Sequence, residues 1–98
     1  MFIVSLNYKC ETCKIDEFLA EHIEYLNKQY SLKHFIASGR KNPRTGGIIL
    51  ARVETQEELL DILKNDPFKR EDLADYTIQE FIPTMVADGL ESLLETLK

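Results

Sequence analysis

The chain has 98 residues, with 12 Lys and Arg against 17 Asp and Glu and a net charge of −5. That acidic balance disfavours nucleic acid and anionic membrane surfaces as partners. The length and a 44% hydrophobic content suit one soluble domain spanning residues 1–98, and two cysteines are too few for a disulfide framework.

Phe2 to Tyr8 alternates, with Phe2, Val4, Leu6 and Tyr8 on one side and Ser5 and Asn7 on the other. This is the pattern of a half-buried strand. The apolar opening is short and has no basic lead-in. No other stretch reads as an export signal or a membrane span, so a cytoplasmic location is expected.

From Ile15 to Tyr30 apolar residues recur at helical spacing, through Ile15, Phe18, Leu19, Leu26 and Tyr30. At roughly 100° per residue, His22 falls near the centre of that arc. Glu17, Glu21, Glu24 and Lys28 cover the opposite side. Leu32–Ser38 and Gly47–Val53 read as the second and third strands. The turn-rich segment Gly39 to Gly46 joins them as a hairpin loop. Thr55-Gln56-Glu57-Glu58 is a capping box that opens a helix carrying Leu59, Leu60, Ile62 and Leu63, with Asn65 as a left-handed stop. Tyr76 to Pro83 reads as a fourth strand, and Leu90, Leu93, Leu94 and Leu97 mark a short terminal helix.

The order is strand, helix, strand, strand, helix, strand, with a helix appended. Two crossover units joined by a hairpin predict an α+β, ferredoxin-like βαββαβ antiparallel sheet with both helices on one face. Ile48-Ile49-Leu50-Ala51 is apolar on both faces of its strand. Helices cover only one face, so a second copy stacked sheet to sheet is expected, giving a homodimer; the terminal helix is the other available cover.

Two residues carry the strongest chemical signal. His22 on the core-facing stripe is either a packing residue or a partly buried acid or base beside a cavity. Asp66 opens Asp66-Pro67-Phe68. It suits a turn, and the following proline restricts its backbone, which also aims the carboxylate. An Asp accepting from one ring nitrogen of a histidine sets the tautomer and leaves the other nitrogen for a substrate. His34 has no motif around it and reads as structural. Arg40, Lys41 and Arg44 share one loop, as a solvated turn or as a contact for an anion. Cys10-Glu11-Thr12-Cys13 is a bare Cys-x-x-Cys. A redox role lacks the thioredoxin strand order, and a zinc site lacks two further ligands. Glycine-rich nucleotide loops, the nucleophile elbow and the His-Glu-x-x-His motif are absent from the sequence. No metal and no cofactor are expected.

Taken together, His22-Ile23-Glu24-Tyr25-Leu26, Phe35-Ile36-Ala37-Ser38-Gly39, Gly46-Gly47-Ile48-Ile49 and Asp66-Pro67-Phe68 give the chain a recognisable look. It resembles the YCII-related (YciI-like) family, small members of the dimeric α+β barrel superfamily, from Phe2 to about Leu94. The resemblance implies a dimer-forming ferredoxin-like subunit. It also implies a His–Asp active site at His22 and Asp66 and a pocket bordered by Ser38, Gly39 and Phe68. Two departures from the family pattern bring charge to the expected pocket mouth: Arg40 where proline often follows the glycine, and Lys69-Arg70-Glu71-Asp72 where the chain is usually small and apolar.

The expected function is a small cofactor-independent enzyme. His22 would act as general acid or base on a small organic substrate, Asp66 would orient it, and Arg40 would neutralise developing charge, in lyase, isomerase or hydrolase chemistry. The alternatives are a non-catalytic small-molecule-binding dimer and an interaction protein that presents Glu17, Glu21 and Glu24 to a partner.

Overall fold

The computed structural model describes residues 1–94. Its elements are β1 (Phe2–Tyr8), α1 (Thr12–Glu17), α2 (Leu19–Ser31), β2 (Phe35–Arg40), β3 (Gly46–Ala51), α3 (Gln56–Leu63), α4 (Pro67–Arg70) and β4 (Ala74–Glu80), followed by a 3-10 turn at Glu91–Leu93. The four strands form one antiparallel sheet in the order β2-β3-β1-β4. Each βαβ unit therefore skips one place in the sheet, and the other unit's strand fills the gap. This is the ferredoxin-like α+β fold expected from the order of elements.

Alternation on β1 decides which face is the core. Phe2, Val4 and Leu6 are buried and point to the helices; in register with them, Ala51 and Ile49 of β3 and Ile78 and Tyr76 of β4 face the same way. Leu59, Ile62 and Leu63 of α3 and Tyr25 of α2 close the layer from above, and the Tyr25 hydroxyl donates to the Ile62 carbonyl at 2.9 Å. The opposite face carries Ile3, Ala37, Ile48 and Leu50 beside Ser5, Thr77 and Gln79.

Several boundaries differ from the sequence reading. The first helix is two helices, broken at Phe18, whose φ of −107° and ψ of 4° leave the helical region. The break resets the phase, so α2 buries Tyr25 and Gln29 while Leu19 stays 36% exposed. β2 begins at Phe35 because Leu32 to His34 finish the helix. Lys33 sits at φ 64°, its amide donates to the Tyr30 carbonyl, and the His34 amide reaches back to Gln29. This double bond is a Schellman stop made without the usual glycine. Asn65 is not a left-handed stop; among the described residues the positive-φ residues other than glycine are Lys33 and Asp72. Instead the chain runs on through a turn into α4, as Asp66 caps its amides. β4 starts at Ala74 because Tyr8 of β1 extends far enough to pair with it. The capping box forms at its first bond, with the Thr55 hydroxyl accepting from the Glu58 amide at 3.1 Å. Of the terminal helix, the described residues show one 3-10 turn, and Leu97 lies outside them.

Candidate active site

The site starts from the cap of a four-residue helix. Pro67 fills the first helical position, where a missing N–H costs nothing, and Asp66 before it takes an extended backbone (φ −68°, ψ 125°). Its Oδ1 accepts from the Phe68 amide at 3.1 Å. This local geometry turns the carboxylate inward, where it is fully buried.

A buried carboxylate is costly unless donors surround it. Asp66 has three. Besides the Phe68 amide, the Tyr76 hydroxyl donates to Oδ2 at 2.6 Å, and His22 Nδ1 lies 2.8 Å from Oδ1. Among the described residues no buried side-chain polar atom lacks a partner. An ionised carboxylate can only accept, so an ionised Asp66 sets the His22 hydrogen on Nδ1. That leaves Nε2 with a lone pair in the neutral ring. Burial, with the Asp66 charge second, pushes the Tyr76 and Tyr25 phenols well above the usual tyrosine range. Both therefore remain protonated, and Tyr76 remains a donor to Asp66, throughout the neutral range.

The imidazole is held flat as well as tethered. It stacks on Phe68 with ring centroids 4.0 Å apart and planes 13° from parallel. Its side chain is 12% exposed against 0% for Asp66. The ring thus screens the carboxylate from solvent while itself reaching a hollow of about 180 Å³ between α2 and the sheet. Leu6, Leu19, Leu26 and Ile49 give this hollow apolar walls, and Tyr8, Ser38, Gly39, Arg40 and Phe68 are also among its lining. All four residues singled out as substrate contacts line the hollow. Asp66 does not; it stands behind His22. Ser38 is already engaged, its hydroxyl 2.5 Å from that of Tyr30.

Tyr76 escaped the sequence reading. Its one signal was strand alternation, which sets it on the same face as Ile78; which residue it would meet there depends on the β1–β4 register that pairs it with Leu6.

The remaining candidates lie elsewhere. The His34 ring is 2.8 Å from Gln29 Oε1, part of the seam between α2 and β2. Cys10 and Cys13 are unbridged, and the Cys10 thiol faces the Leu73 carbonyl at 3.7 Å. Among the described residues, no three His, Cys, Asp or Glu side chains gather as a metal site would need, and no helix is long and apolar enough to cross a membrane. Lys41 is held by Asn7, and Arg44 by Asp16. Glu21 of α2 pairs with Arg70 at 2.9 Å and Glu17 of α1 with Lys14 at 3.2 Å, so part of the acidic face of these two helices is internally compensated.

No curated protein matches the chain. Its fold matches the solved structure of 5-chloro-2-hydroxyhydroquinone dehydrochlorinase from Burkholderia phenoliruptrix AC1100 in complex with 2,5-dihydroxybenzoquinone, with a TM-score of 0.71 at 16% identity, over 82% of this chain and 91% of that one. At that identity the likeness speaks for the fold alone. The family comparison reaches further: the model of the YCII-related domain matches residues 1–82, and the chain belongs to the YCII-related family.

Proposed function

We propose that this chain is a small cytoplasmic enzyme that works without a cofactor and moves a proton on a small organic substrate by general acid–base catalysis. His22 Nε2 is the exchanging atom. Asp66 holds the Nδ1 hydrogen and balances the charge of the imidazolium. The carrying observation is the chain of contacts from Tyr76 through Asp66 to His22, ending on a hollow. A packing histidine needs one satisfied nitrogen; this one has that, and a second nitrogen free to face the open side. The ring has limited freedom, because Phe68 fixes its plane. One matching solved structure is that of a dehydrochlorinase. Loss of HCl includes loss of a proton, so a lyase-type reaction is the form of this chemistry best supported here.

His22→Ala tests the reading. Chlorinated hydroxyhydroquinones and cyclic β-diketones supply suitable O–H and C–H acids, and their turnover or deuterium exchange is followed by proton NMR. The variant is expected to lose about 10²- to 10⁴-fold in rate with an unchanged circular dichroism spectrum. A His22→Ala protein as active as the wild type, or a wild type that binds these probes without converting them, would overturn it.

The second copy belongs to the same proposal. Ile3, Ile48 and Leu50 are half-buried on the face of the sheet away from the helices, and Ala37 is exposed beside them. Polar side chains flank this apolar strip, as at the rim of an interface. Stacking of two sheets would cover it. Sedimentation at tens of micromolar is expected to give twice the chain mass, and Leu50→Glu to give the single mass; a wild-type monomer counts against the homodimer.

A further inference from the structure

Which molecule fits the hollow is a question of charge and size. Among the described residues its lining includes no carboxylate, although 17 of the 98 residues of the chain are acidic. Arg40 is the one permanent cation that the described residues bring to it. On β2 this residue is paired with Gly47, so no side chain opposes it across the strand pair. The other arginines near the site are neutralised: Arg44 by Asp16, and Arg70 by Glu21 and Glu71 at 2.9 and 3.0 Å. Arg40 has neither a carboxylate nor a side-chain hydrogen-bond partner among the described residues.

From this we infer that the hollow takes a ring-sized organic monoanion, its negative group on Arg40 and its reacting hydrogen at His22 Nε2. The inference rests on the acid–base reading above and names the substrate class for that site. Size follows from the volume: a dry apolar cavity of roughly 150 Å³ admits a benzene-sized molecule, so about 180 Å³ holds one ring with its substituents. The apolar walls select a carbon skeleton over an inorganic anion. One guanidinium balances one charge, and the −5 of the whole chain repels anything more highly charged. Guanidinium and carboxylate pair in a plane through two hydrogen bonds, which also aligns the ring, while a phenolate offers its single oxygen to the same N–H groups. In the reaction the substrate's O–H or C–H bond breaks. The proton goes to Nε2, the electron pair stays on the substrate, and Asp66 balances the new imidazolium charge.

The test needs no turnover. The intact protein is titrated with benzoate, its neutral isostere benzamide, and inorganic phosphate, following the backbone amide resonances of Gly39 and Phe68. Benzoate is expected to bind at least about tenfold more tightly than benzamide, and phosphate not to compete. Arg40→Gln should erase the preference and Arg40→Lys keep part of it, whereas Arg52→Gln, exposed and outside the hollow, should leave it unchanged. Equal binding of benzoate and benzamide, no binding of either, or a preference that survives in Arg40→Gln would each overturn the inference. The two readings fail separately. Loss of the benzoate preference, with His22→Ala still inactive, removes only the substrate class; a fully active His22→Ala protein that keeps the preference removes only the acid–base role.

Discussion

Asp66→Asn is expected to lower turnover about 10²- to 10⁴-fold while the protein stays folded and His22 keeps its hydrogen on Nδ1. The reason is the asymmetry of the three donors. Oδ1 serves both the Phe68 amide and His22, whereas Oδ2 serves only the Tyr76 hydroxyl. An amide in the same place can keep its oxygen at the Oδ1 position and turn its NH₂ toward Tyr76. A phenol accepts as well as donates, so that hydroxyl can rotate to receive it. Shape, packing and tautomer are then retained, and the single loss is the negative charge that offsets the imidazolium. Nitrogen-15 spectra of the ring read the tautomer, and the rate reads the charge. Asp66→Ala makes the contrast, because it strands the Tyr76 hydroxyl and the Phe68 amide and should cost about 3 kcal/mol of stability. An Asp66→Asn enzyme within threefold of the wild type would remove the carboxylate from the mechanism.

Gly46→Ala is expected to destabilise the fold by about 3–5 kcal/mol, a large part of the 5–15 kcal/mol typical of a domain. A Cβ built on Gly46 would lie 1.7 Å from the Leu6 carbonyl oxygen and 2.7 Å from its carbon. These are backbone atoms of the central strand, already committed to pairing with β3 and β4. They cannot yield as the end of a flexible side chain would, so the β1–β3 pair must open. Gly39→Ala is the control: a Cβ there meets nothing within 4 Å, and its stability should be near that of the wild type. Urea midpoints compare the two, and a Gly46→Ala protein within 1 kcal/mol of the wild type would show that the strands separate more easily than their register implies.

Much of this site was legible before any coordinates. Asp66 before a proline is a local feature, and its backbone is restricted by the ring that follows; the cap it forms is what turns the carboxylate inward. His22 stood out as a polar residue within an apolar stripe. The errors have equally local causes. One unbroken helical period cannot show that Phe18 interrupts the helix. A lysine in the left-handed region gives no compositional cue, and Asn65 offered that cue without using it. Tyr76 and Gly46 were beyond reach, since both matter through what lies across the sheet from them.

By itself the sequence determined the element order, the ferredoxin-like topology and the two halves of a candidate pair, because alternation, helical spacing and proline chemistry act over a few neighbouring residues. Only the tertiary structure decided that His22 and Asp66 meet at 2.8 Å, that Tyr76 braces the carboxylate from behind, and that Arg40 faces an apolar hollow. Those contacts span 10 to 44 positions of chain. They depend on strand register and on how α2 and α4 settle on the sheet, which is set by the packing of the whole core at once.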